Sequence, residues 1–144
     1  MNNRVDQDPP SLERGATAVL VGARDEWAGA LDVAALGQLW EVLGHDLRGI
    51  VEAFCEQVPL QLDELEGLLA SGELDRIARC AHSIKGSAAN LAAVRLSVAA
   101  ARMEHAAKEN DLDAVRQFFA EVRSEAPVAL LALGEFVLAK VSRG

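Results

Sequence analysis

From residue 33 onward, apolar residues recur three and four positions apart, the spacing of a helix that buries one face. Leu36, Leu39, Trp40 and Leu43 define a short first helix, with Asp32 placed to cap its start and Gly44 to stop it. A longer helix follows from near Asp46, with Leu47, Ile50, Val51, Phe54, Val58, Leu62, Leu65 and Leu69 on one face. It ends at Ser71-Gly72. Pro59 lies inside it and should bend it, yet the apolar register on either side argues that the helix continues. A third helix, from about Leu74 to Leu91, carries the stripe Leu74, Ile77, Ala81, Ile84, Ala88 and Leu91. A fourth, from about Val94 to Glu109, turns Leu96, Ala99, Ala100, Met103 and Ala107 inward. After Asn110-Asp111 a last helical stretch holds Leu112, Val115, Phe118, Phe119, Val122, Leu130, Leu131, Phe136 and Val137, with Pro127 expected to bend or break it. Short connections make successive helices antiparallel neighbours. The expected fold class is therefore all-α: an antiparallel up-down-up-down four-helix bundle with a short additional N-terminal helix.

Residues 1–28 lack this period. They contain Pro9-Pro10, scattered charges and the brief run Ala16 to Val21, and read as a mobile or loosely docked N-terminal extension before a single domain over 29–144. The composition supports packed helices: aromatics are only 4% of a chain that is 51% hydrophobic, there is no Tyr, and alanine and leucine dominate. A net charge of -8 would repel a phosphate backbone or an anionic membrane, so neither nucleic acid nor membrane is expected as a partner. The two cysteines, Cys55 and Cys80, lie within helical patterns, far from any metal-knuckle spacing, and read as core residues of a reduced protein. No early apolar run is long enough for a signal peptide or membrane span, and a cytoplasmic location is expected.

The candidate chemistry lies in one turn of the third helix, His82-Ser83-Ile84-Lys85-Gly86. At about 100° per residue, Asp75, Arg79, His82, Lys85 and Gly86 fall opposite the apolar stripe, so His82 faces solvent. Residues three and four apart share a helix surface, which sets an ammonium and an absent side chain beside the ring. A glycine inside a helix costs about 1 kcal/mol relative to alanine; at Gly86 that cost suggests clearance for a partner approaching the imidazole. The small residues Ala78 and Ala89, with Arg79, are expected to form a docking surface on the same face. His45 and His105 read as surface polar groups, and Ser87 and Asn90 as helix-end polar groups.

The stretch from His82-Ser83-Ile84-Lys85-Gly86 through Ser87-Ala88-Ala89-Asn90-Leu91-Ala92-Ala93 to Leu96 and Met103-Glu104 resembles the signature of histidine phosphotransfer (HPt) domains, with the likeness extending over roughly residues 33 to 140. One departure is Ala92, where that family often has glycine at the turn between helices. The resemblance implies a phosphocarrier with no ATPase or kinase activity of its own. It would exchange a phosphoryl group between an aspartyl phosphate on a response-regulator receiver domain and the imidazole of His82, which attacks through its exposed nitrogen. Lys85 would offset phosphoryl charge. No cofactor is implied for this chain; Mg²⁺ is expected on the receiver. The implied partners are receiver domains and a hybrid sensor histidine kinase, met by a monomer.

Glu104 is a candidate for orienting His82. In an antiparallel hairpin centred near Ala92-Ala93, positions 82 and 104 lie equally far from the turn, and HPt relatives commonly have Glu or Gln there. Such a carboxylate would accept a hydrogen bond from Nδ1 and leave Nε2 free. The competing reading pairs Glu104 with Lys108 one turn on, worth about 0.2–0.5 kcal/mol. Two other function classes are a helical adaptor that binds a receiver or kinase without accepting phosphate, and a haem- or metal-binding bundle with His82 and Met103 or His105 as interior ligands. The outward direction of His82 opposes the second.

Overall fold

The computed structural model of the protein describes residues 29–143, so the expectations for residues 1–28 lie outside the described residues. The described part is all-helical, with five helices: α1 (Val33–Leu43), α2 (His45–Ser71), α3 (Leu74–Asn90), α4 (Val94–Lys108) and α5 (Leu112–Arg143). The Asp32 carboxylate accepts the Ala35 N–H at 3.1 Å and so caps α1. Gly44 closes α1 with φ 55° and ψ -131°, a backbone region that side chains disfavour strongly. Its N–H donates to the Trp40 carbonyl at 2.7 Å.

Neither internal proline ends its helix. Pro59 lies within α2 and Pro127 within α5, and both are exposed, so the carbonyl that each leaves without a donor can turn to water. Of the bend or break expected at Pro127, the break does not occur: the stretch is one helix of 32 residues. On α2 the buried face runs through Leu47, Val51, Phe54, Val58, Gln61, Leu65 and Leu68. Ile50, expected inward, is 46% exposed, because it sits beside that line rather than on it.

α3 packs against α4, α4 against α5, α5 against α2 and α2 against α3, with α1 set against α2. Leu36, Leu47, Leu65, Ile77, Ile84, Leu96, Met103, Val115 and Leu133 are fully enclosed between them. The alanine face of α4, with Ala99, Ala100, Ala106 and Ala107 all buried, presents little bulk to its neighbours.

The turn from α3 to α4 decides the register of the site. The Ala93 N–H donates to the Ala88 carbonyl at 2.8 Å and the Ala92 N–H to that of Ala89 at 3.0 Å, the bonding pattern of a helix closed by a left-handed residue. That residue is Ala92, with φ 58°, a conformation that costs a residue with a Cβ roughly 1–2 kcal/mol. The turn is held from outside as well, since the Asp32 N–H donates to the Ala92 carbonyl at 2.8 Å.

Candidate functional site

The α3–α4 hairpin brings His82 and Glu104 level with one another. His82 Nδ1 lies 2.9 Å from Glu104 Oε2. The two residues differ sharply in environment: the His82 side chain is 64% exposed and that of Glu104 only 7%. Lys85 Nζ is 2.9 Å from the other carboxylate oxygen, Oε1, and Lys108 Nζ is 3.0 Å from Oε2. The two partners weighed for Glu104 from the sequence are thus both in contact with it, together with Lys85.

A buried carboxylate is costly unless it is paired and hydrogen-bonded. Burial pushes the Glu104 carboxyl up, but hydrogen bonds from Lys85, Lys108 and His82, with the Lys85 charge, outweigh it and hold the pKa down at about 2. At neutral pH the group is therefore ionised and can only accept. The hydrogen between Glu104 and the ring must then lie on Nδ1, and in the neutral imidazole this leaves Nε2 without a proton and directed away from the carboxylate.

Two further bonds hold this turn of α3 between its neighbours. Ser97 Oγ, on α4, donates to the Lys85 carbonyl at 3.0 Å. Gln61 Nε2, on α2, donates to Ser83 Oγ at 3.0 Å, and Gln61 is itself buried. Neither contact is anticipated by the sequence reading. The available signal is the position of Gln61, a polar residue midway between Val58 and Leu65 on an apolar face.

Gly86 is exposed, and a Cβ placed on it would meet nothing within 4 Å. The described chain itself therefore does not require a glycine here for space. Arg79 and Ala89 are also exposed on α3. Ala78 is not: it is 8% exposed, which corrects its assignment to a docking surface. α3 is covered by α2 on one side and α4 on the other, so its buried face widens beyond the central stripe to take in Ala78 and Cys80.

The other two histidines lack this setting. His45 and His105 are exposed, and His45 rests edge-on against Trp40 at 5.5 Å between ring centroids. Met103 is sealed in the core while His82 points to solvent, so the two do not converge as interior ligands. Among the described residues no group of three or more His, Cys, Asp or Glu side chains is arranged to hold a metal ion, and no helix is long and apolar enough to cross a membrane. Cys80 is buried, and burial followed by the Glu64 carboxylate pushes its thiol up to about 11; it is a packing residue rather than a nucleophile.

The Hpt domain family model matches residues 49–132, a span that includes the whole of α3 and α4. No curated protein matches the chain. Among solved structures, the fold is similar to that of histidine-containing phosphotransfer protein B (HptB) from Pseudomonas aeruginosa PAO1, with a TM-score of 0.73 and 22% identity over 76% of this chain and 96% of that one. It is also similar to the histidine-containing phosphotransfer protein ZmHP2 from maize, with a TM-score of 0.70 and 21% identity over 88% of this chain and 97% of that one.

Proposed function

Since the chain belongs to the Hpt domain family and has a histidine phosphotransfer role in phosphorelays, we propose that His82 carries the phosphoryl group and that Glu104, Lys85 and Gly86 fit it for that task. The observation that carries this reading is the 2.9 Å contact between His82 Nδ1 and an ionised Glu104, made by a ring whose other nitrogen is open to solvent.

The neutral ring attacks the phosphorus of an aspartyl phosphate in line through Nε2. The N–P bond forms as the acyl O–P bond breaks, and the aspartate carboxylate departs with the electron pair. The Nδ1 proton stays where it is, shared with Glu104, so the positive character that develops on the ring is met by a fixed negative charge rather than by reorganised solvent. Lys85 offsets charge on the phosphoryl oxygens. Gly86 and Ala89 leave a low surface beside the ring on which a receiver domain can settle, with the exposed Arg79 offering it a charged contact. Because the reaction conserves a high-energy phosphoryl bond, it runs in either direction.

The four long helices are read as an up-down-up-down bundle in which α1 covers one end. The protein acts as a cytoplasmic monomeric carrier, without kinase or ATPase activity of its own, between response-regulator receivers and a hybrid sensor histidine kinase, with Mg²⁺ held by the receiver. The direct test is incubation with a ³²P-labelled receiver domain. The native protein takes up an acid-labile, base-stable label and His82→Gln, with its helical CD spectrum intact, takes up none. Normal labelling of His82→Gln would remove His82 from the role.

A further inference from the structure

Glu104 serves three donors with two oxygens. Lys85 alone is bonded to Oε1, while His82 Nδ1 and Lys108 share Oε2. This creates a conflict for Lys85. If it is to offset charge on a phosphoryl group at Nε2, it must give up some or all of its contact with Glu104. A carboxylate with a side chain only 7% exposed would then lose a cation at the moment the ring beside it gains a dianionic substituent. Desolvation makes an uncompensated charge there far more costly than one at the surface.

Lys108 is placed to prevent that. It is the last residue of α4, one helical turn beyond Glu104, where a cation is also favoured by the helix terminus. It approaches the oxygen that already holds Nδ1, on the edge of the ring remote from Nε2, so its bond to Glu104 does not compete with the reacting nitrogen. Its side chain is 64% exposed, and it can hold its position without being part of the core. Lys85 lies three residues from His82 on the same helix and is alone on Oε1, so it is the lysine that can leave Glu104 for an arriving phosphate without disturbing the oxygen that holds Nδ1.

We propose that Lys108 is a positioning residue that keeps Glu104 neutralised and so releases Lys85 for the phosphoryl group. The inference rests on the assignment of His82 as phosphoryl carrier. It predicts that the two lysines act as one device: Lys108 matters to transfer chiefly because Lys85 is there to be released.

The test is a double-mutant cycle on the rate of phosphoryl uptake from a phosphorylated receiver domain, measured over a range of receiver concentrations. Lys108→Met lowers the limiting rate by about two- to fivefold, the range expected for a pair with one exposed partner, and leaves the half-saturating receiver concentration unchanged. Lys108→Arg restores the rate. In a Lys85→Met background, adding Lys108→Met causes a smaller loss than it does in the native background, because there is no ammonium left to release. An effect confined to half-saturation would make Lys108 a receiver contact and overturn the proposal. Additive losses in the cycle, or a native rate in Lys108→Met, would overturn it equally. His82→Gln in the same assay keeps the two claims apart: uptake by that variant defeats the carrier assignment, whereas abolished uptake with a native Lys108→Met rate defeats only the role of Lys108.

Discussion

Replacing Glu104 by glutamine changes a charge and little else in shape, and its consequence for stability can be worked out from the contacts around the carboxylate. The folded-state pKa of about 2 lies below the ordinary value of 4.5, so the native state holds this proton less readily than the unfolded chain. Stability gained from that difference is fully present above about pH 4.5, declines as pH falls, and is gone near pH 2. At about 1.4 kcal/mol per pH unit, the interval from 4.5 to about 2 corresponds to about 3 kcal/mol at neutral pH. The amide oxygen of Glu104→Gln can still accept from Nδ1 and Lys108, but the amide carries no charge for either ammonium group and turns an NH2, not an acceptor, towards Lys85. The measurement is urea unfolding of both proteins by far-UV CD from pH 7 down to pH 2. Other carboxylates titrate alike in both and cancel, and the packing of the amide contributes a constant offset. The stability gap between native protein and Glu104→Gln should therefore narrow by about 3 kcal/mol over that range, with nearly all of the change below pH 5. A gap that does not vary with pH would show that the ionised carboxylate is not held by these donors, and the tautomer argument for Nε2 would lose its footing.

Further outcomes follow from single residues. Gly86→Glu keeps the helical fold, because the position is open and glutamate is the better helix former by up to about 1 kcal/mol, while its receiver-dependent phosphorylation falls by about a hundredfold through misplacement of the partner; unfolding of the variant would show that the glycine serves the bundle instead. Gly44→Ala loses about 1–3 kcal/mol in urea unfolding, since its backbone angles exclude a Cβ, and an unchanged midpoint would contradict that geometry. Cys80, with its thiol pushed up to about 11, should react with a thiol reagent at pH 8 far more slowly in the folded protein than in urea, and equal rates would show that the α2–α3 seam opens freely.

Much of this was legible in the chain because the informative residues act locally. Asp32 and Gly44 bracket α1 by capping chemistry that depends on a few neighbouring atoms, and the outward direction of His82 follows from helical period alone. The level placement of 82 and 104 needed only one further step, a hairpin with its turn near Ala92-Ala93. What escaped notice depends on neighbours distant in sequence. Ala78 sits just off the central stripe of α3, and its burial arises because α2 and α4 flank that helix together. Gln61 is hidden from a hydropathy pattern because its partner, the Ser83 hydroxyl, lies on another helix. At Pro127 the choice between a bend and a break stayed open because the missing donor is a local fact, whereas the exposure that makes the loss tolerable is set by which face of α5 turns outward. The simultaneous hold of Lys85, Lys108 and His82 on one carboxylate is likewise a property of the assembled α3–α4 pair.

The central claim is that Glu104 fixes the Nδ1–H form of His82 and leaves Nε2 to take the phosphoryl group. Phosphorylating protein labelled with ¹⁵N at histidine and recording its ³¹P and ¹⁵N spectra tests it most directly. Phosphorus coupled to Nε2 of His82, with a hydrogen retained on Nδ1, is the predicted result; phosphorus on Nδ1 of His82, or on His45 or His105, would contradict it.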